Sequence, residues 1–224
     1  MLIVRLAALG GALAVAGGML VPSTHAAIAA PSATQVATRS VSVDVDGDGA
    51  ADAVTIEQSA PQTFVVNVVT AASESAVTTV TSSIIDDWGV EPWYGAAKLD
   101  HVKGKELLLL TSGGDGVTFR VLTWRNHALV FERAPSSLAK GTLGWYLVDV
   151  EAARFGYRFS TVDGKRHVRE FELFPHGSHW KGTIVTSVWK AGAWKKVGTK
   201  TVNLTAKQAE RYRRLAGVTI THRP

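Results

Sequence analysis

Apolar and polar residues alternate with a period of two along short stretches of this chain, as in Val54 and Ile56 against Thr55 and Glu57. Such stretches recur at residues 53–58, 64–70, 76–81, 106–111, 117–125 and 129–133, about ten residues apart, with turn-forming residues between them. Later ones cover 144–151, 155–162, 168–174, 183–190 and 194–203. A half-buried strand shows this alternation, and even spacing of many short strands predicts an all-β fold of antiparallel sheets. Asp163-Gly164 and Ala191-Gly192 mark hairpin turns. Leu107, Leu108, Leu109 and Leu110 break the alternation, as a strand buried on both faces does.

The pattern changes at the C-terminus. Thr205 can cap a helix over 206–216, with Ala209, Tyr212 and Leu215 or Ala216 on one apolar side and Gly217 as its stop. Such a helix is expected to cover an open sheet edge. An anionic surface held by Arg211, Arg213 and Arg214 is the other reading.

Two internal echoes point to repetition. Residues 44–52 match residues 98–106 at an offset of 54, with Asp46 meeting Asp100 and Asp52 meeting Glu106. Residues 118–129 match 183–194 at an offset of 65, and both read as strand, Trp, basic residue, turn, strand. Unequal offsets imply degenerate units with insertions.

Composition sets the compartment. Residues 1–26 hold one basic residue, Arg5, no acid, and an Ala/Leu/Val/Gly-rich stretch ending at Thr24-His25-Ala26. That is the form of a secretory signal peptide, so the remaining 198 or so residues are expected to be exported and soluble, with no transmembrane anchor. The chain has no cysteine, which excludes disulfides, thiol nucleophiles and thiolate metal sites. Residues 27–39 are small and polar without periodicity, as in a flexible spacer. Charge is unevenly placed. Residues 27–100 carry two basic and ten acidic side chains, and residues 101–224 carry 21 basic and nine acidic. The basic residues are scattered along apparent strands, so charge compensation within one globule is favoured over an anion-binding role, and nucleic acid is not an expected partner.

The sharpest chemical signal is Asp44-Val45-Asp46-Gly47-Asp48-Gly49-Ala50-Ala51-Asp52. Carboxylates two residues apart repel in a collapsed loop, whereas calcium takes six to eight oxygens and turns that repulsion into coordination. Asp44, Asp46 and Asp48 are expected to supply side-chain oxygens, Ala50 a backbone carbonyl and Asp52 the closing carboxylate, with Gly47 and Gly49 allowing the bend. An EF-hand needs an acid at its twelfth position, which here is Thr55. In the copy at 98–106, Lys98 and Val102 replace the first and third acids, so one ion is expected.

Closure at the ninth position followed directly by a strand resembles the DxDGDGxxD loop of FG-GAP (VCBS-type) repeats, the integrin-like propeller blades. The resemblance covers residues 40–133, and residues 144–204 weakly. It implies four-stranded blades, calcium where a loop enters a strand, and a role in adhesion or ligand recognition. The expected organisation is a signal peptide (1–26), a spacer (27–39), two FG-GAP-like β units (40–135), an antiparallel β unit (136–204) and a C-terminal helix (205–216). About three units are fewer than the four to eight blades that close a propeller, so an open, helix-capped set of sheets is expected. The function this implies is a secreted, calcium-binding, non-enzymatic module for an unknown protein or glycan ligand at the cell surface.

Other chemistry is weaker. Asp86, Asp87 and Glu91 lie near Trp88, Trp93 and Tyr94, and two carboxylates across an aromatic platform suit a secreted polysaccharide hydrolase, the alternative function. The other reading of this segment is a polar loop anchored by buried tryptophans. His176-Gly177-Ser178-His179, with His167 as a remote third, reads as an exposed turn rather than a metal site. Trp124 and Trp189 are expected to pack sheet layers. No Gly-x-Ser-x-Gly elbow, phosphate loop or dinucleotide fingerprint occurs.

Overall fold

A computed structural model describes residues 38–135 and 143–224. The expected signal peptide and the spacer up to residue 37 lie outside the described residues. Thr38 and Arg39, the last two residues of the expected spacer, lie in a strand, paired with Glu57 and Ile56. Strands β1 (Thr38–Val43), β2 (Asp52–Ala60), β3 (Thr63–Val69) and β4 (Ser75–Thr81) form a four-stranded antiparallel meander. Alternation places Val54, Ile56, Phe64, Val66 and Val68 on one buried face.

A one-turn helix, α1 (Ile84–Trp88), leads to β5 (Trp93–Ala97), β6 (Glu106–Ser112), β7 (Gly116–Arg125) and β8 (Ala128–Glu132). These four strands follow β1 to β4 at an offset of 54, to within one residue at each start. β7 is shared. Its Val121 to Arg125 half pairs with β8, and its Gly116 to Phe119 half pairs with β9 (Trp145–Val150). From β9 the meander runs on through β10 (Ala153–Val162), β11 (Lys165–His176), β12 (His179–Lys190) and β13 (Ala193–Thr205), and with β14 (Leu215–Ala216) beside β10 the second sheet has ten strands. The architecture is all-β, antiparallel and unclosed. Asp163-Gly164 and Ala191-Gly192 turn the expected hairpins with both residues at positive φ.

The leucine run of β6 is buried on both sides, as its sequence predicts. Leu107 and Leu109 meet Val54, Phe64 and Val66 of the first sheet, with Leu122 and Trp124. Leu108 points the other way, into a second core with Phe119, Val121, Trp145, Tyr157 and Phe159. Leu108 is the counterpart of Val54, which faces the first core, so the two meanders stack front to back rather than face to face. A third core joins Phe171, Leu173, Ile184 and Val202.

The C-terminal helix is shorter than its sequence suggests. It spans one turn, α2 (Ala206–Ala209), with the expected Thr205 cap in place as a capping box. Tyr212 then packs against Phe171 at 5.4 Å, and Leu215–Ala216 (β14) pairs in parallel with β10. Burial of Tyr212 and Leu215 against the sheet overrides helix propensity here. Arg213 pairs with Glu210, and Arg214 lies 3.6 Å from Asp149. A Cβ on Gly156 would sit 2.3 Å from the Arg214 carbonyl, so β14 requires glycine at that position. The chain then returns to β5, where Ala96 and Thr221 exchange backbone hydrogen bonds of 2.9 and 2.8 Å and Trp93 Nε1 donates to the His222 carbonyl. Among the described residues no helix is long and apolar enough to cross a membrane.

Candidate functional site: two acidic loops in register

The β1–β2 loop is a ladder of aspartate turns. Asp44 Oδ1 accepts from Gly47 N at 2.7 Å, Asp46 Oδ1 from Asp48 N at 3.0 Å and Asp48 Oδ1 from Ala50 N at 2.6 Å. Each aspartate thereby commits one oxygen to the loop, and its second oxygen takes no part in these bonds. The three carboxylates converge, with ligand oxygens within 4.8 Å of one another. Three hard oxygen donors on a glycine-bent loop fit a calcium ion, with water or carbonyl oxygens to complete the shell. Burial pushes the Asp46 carboxyl up, and the charges of Asp52, Asp48 and Asp44 add to it, while the Asp48 N–H acts in the opposite sense.

Asp52 is placed differently from these three. It is buried, its Oδ2 accepts from Val45 N at 2.7 Å and its Oδ1 from Ala71 N at 2.9 Å. It ties the loop to the start of β2 and to the β3–β4 turn and is not one of the three converging carboxylates. Ala50 is exposed, and its N–H serves Asp48.

The second loop repeats this frame almost bond for bond. Asp100 Oδ1 accepts from Val102 N at 2.7 Å, as Asp46 does from Asp48, and Glu106 Oε2 accepts from Leu99 N at 2.6 Å, as Asp52 does from Val45. His101 has φ +74°, matching +80° at Gly47. The loops interlock: Lys105 N donates to the Asp44 carbonyl at 3.0 Å, and a Cβ on Gly47 would lie 2.3 Å from Gly104 N. In the second loop a guanidinium supplies the positive charge. Arg125, at the end of β7, forms an ion pair with Asp100 Oδ2 and lies 3.6 Å from Glu106 Oε1. Glu132 of β8 brings a third carboxylate within 4.8 Å of Asp100 and Glu106, and all three acids are buried.

Burial and the neighbouring Asp100 push the Glu106 carboxyl up to about 8, against the Leu99 N–H and Arg125, which favour the charged form. Glu132 is raised well above the usual range by burial first and then by Glu106 and Asp100, while the Trp194 N–H and Arg125 oppose the shift. The folded chain therefore holds a proton on Glu106 that the unfolded chain, with an ordinary value of 4.5, releases. Stability is full below that ordinary value and is lost as the pH rises toward 8. The urea midpoint of the native protein is expected to fall across this window, by up to about 1.4 kcal/mol per pH unit for one proton. Glu106→Gln should reduce that slope, leaving the share that the raised Glu132 contributes, and an unchanged slope in the variant would contradict the assignment.

Glu132, Arg125 and Thr123 were not legible as site residues. Thr123 and Arg125 alternate with Leu122 and Trp124, and Glu132 follows Phe131, on strands whose polar positions read as solvent-facing, and only Asp100 and Glu106 carried a signal, through the 54-residue echo. The acids near Trp88 are separated by their partners. Asp86 accepts from Gln62 Nε2 at 2.6 Å, Asp87 accepts from Ser83 Oγ and Gly113 N at 2.9 Å, and Glu91 pairs with Arg39. Trp93 is buried in the first core while Trp88 is half exposed over Gly113, so no paired carboxylates face each other over an aromatic floor here. His176 and His179 are cross-strand partners at the β11–β12 turn, and both are exposed, as expected for a turn. Trp124 packs in the first core, whereas Trp189 meets Trp194 edge-on at 5.1 Å.

No protein family, no curated protein and no solved structure matches this chain.

Proposed function

We propose that this protein is an exported, calcium-fastened β-sheet protein of the FG-GAP kind that acts as a non-enzymatic binding module for a protein or glycan at a cell surface. The observation that carries the reading is the convergence of Asp44, Asp46 and Asp48, each with one oxygen held by the loop and one left over, where the chain enters β2. Two four-stranded meanders that stack front to back at a 54-residue period support the blade-like resemblance. The leader-like residues 1–26 and the missing cysteines suit a calcium-rich exterior. A shallow groove lined by Asp46, Asp48, Glu74, Lys103, Trp124 and His127 borders the loop and offers a polar contact surface. The hydrolase alternative needs a carboxylate pair in one cleft, and Asp86, Asp87 and Glu91 each have a different partner.

The test is thermal. Calcium at ten times its dissociation constant is expected to add about 1.4 kcal/mol of stability, seen as a rise in melting temperature. Asp46→Ala should abolish the rise, and a melt that ignores both calcium and chelator would sink the proposal.

A further inference from the structure

Strand register gathers the cations of β10 to β13 on one face. Opposed residues in a ladder share a face, as do residues two apart along a strand. Arg158 is opposite Arg169, Val162 opposite Lys165, Ile184 opposite Lys200 and Val188 opposite Lys195. Arg169 and His167 are in turn opposite Thr186 and Val188, which places these pairs together, and Lys190 follows two residues after Val188. On these four strands no carboxylate shares the face, because Glu170 and Glu172 of β11 alternate onto the other side. Lys165, Lys190, Lys195 and Lys200 are exposed, and Arg158 and Arg169 are partly so.

Among the described residues none of these six cations forms an ion pair. Arg158 leans instead on Tyr212, with its guanidinium 5.8 Å from the ring, and donates to the Arg211 carbonyl at 3.1 Å. Asp149 and Glu210 meet Arg154 at the far end of the face and pair with it and with Arg213 and Arg214. The hairpin turns at the other end, Asp163-Gly164 and Ala191-Gly192, add one acid, Asp163. The charge compensation within one globule that the sequence suggests therefore stops short of this face. Opposed like charges such as Arg158 and Arg169 weaken a sheet, so folding alone gives no reason for the arrangement. An anionic partner does.

Two features say which anion. Four strands about 4.8 Å apart spread the cations over roughly 14 Å, wider than a single phosphate or carboxylate. Between the cations the face is apolar. Val162 and Val197 are 45 % and 58 % exposed, and a groove of about 600 Å³ is lined by Val188 and Val197 together with Lys165, Lys190 and Lys195. Valines add nothing to the capture of a soluble polyanion. At a lipid surface they enter the headgroup boundary, while lysine stems lie along it and their ammoniums reach the phosphates. We propose that this face docks on an anionic phospholipid surface, with the β10–β11 and β12–β13 hairpins leading. The contact needs no ion, goes beyond the calcium reading and does not rest on it.

Partitioning onto phosphatidylcholine vesicles with and without phosphatidylglycerol tests this, in chelator so that no calcium bridges protein and lipid. Every variant carries the same apolar stretch in residues 1–26, so ratios between variants are read. The native protein should prefer the anionic vesicles, and the preference should fade at high salt. Each lysine at such a surface is worth about fivefold, so Lys165→Gln, Lys190→Gln and Lys195→Gln combined should cost about a hundredfold. Val162→Ser with Val197→Ser should cost about tenfold at unchanged charge. Each variant is checked for a native melt, and if the triple variant does not fold, Lys190→Gln alone decides, at about fivefold. Equal partitioning onto both kinds of vesicle, or native affinity in the deciding lysine variant, overturns the proposal. So does native affinity in the valine variant, which would make the face a site for a soluble polyanion.

Discussion

Replacing Arg125 with methionine is expected to cost about 3–5 kcal/mol of folding stability near pH 8, out of proportion to one partly buried side chain. The guanidinium is 23 % exposed, but Asp100 and Glu106, which it faces, are at 0 % and 1 %. Without it, carboxylates already crowded against each other lose a compensating charge in a dry environment. The penalty should shrink near pH 5, where Glu106, raised to about 8 in the folded chain, is protonated. Urea titrations of the native and variant proteins at both pH values measure this. A cost that is small at pH 8, or the same at both, would mean that Arg125 does not neutralise the cluster. Arg125→Met combined with Glu106→Gln should recover part of the loss, because the pair shares one interaction.

Trp145→Ala should be of similar size, about 3–5 kcal/mol, for a different reason. The indole is fully buried at the start of β9, with Tyr157 edge-on at 4.9 Å and Phe119 and Phe159 at 6.0 and 6.3 Å. Its Nε1 donates to the Glu132 carbonyl at 3.2 Å. Truncation removes the packing centre of the second core, at the point where β7 passes from β8 to β9. Trp88, 48 % exposed, is the control: Trp88→Ala should cost less than about 1 kcal/mol. Equal losses at the two positions, read from urea midpoints, would show that the second core does not depend on Trp145.

Much of this fold is legible along the chain because period-two alternation and glycine turns are local signals. The strands around Val54, Val66, Leu108 and Phe171 and the hairpins at Asp163 and Ala191 follow from them. β5 was not legible. Trp93, Tyr94 and Gly95 read as an aromatic-anchored loop, yet Trp93 opens a strand whose partners are β6 and the distant Thr221. Glycine is required at 95, where φ is +138° and a Cβ would lie 2.5 Å from Ile220 Cγ2. The helix after Thr205 was overread for the converse reason, since local propensity carries no information about the groove on β10 that takes Leu215. At the candidate site the consecutive aspartates announce themselves, whereas the Asp100, Glu106 and Glu132 cluster is assembled from a loop and two strands and has no contiguous signature.

The return of the C-terminus to β5 bears on the order of folding. The Ala96 and Thr221 pair closes a loop of 125 residues, and Trp93 gains its indole acceptor only from His222. Contacts this far apart in sequence pay their loop-closure entropy late and slow the search for the native state. Until residue 221 is available, β5 has a bare outer edge and Trp93 an unmet donor. A chain emerging from its N-terminus would thus carry β5 with an unpaired outer edge through the making of all later strands, until residues 221 and 222 reach it.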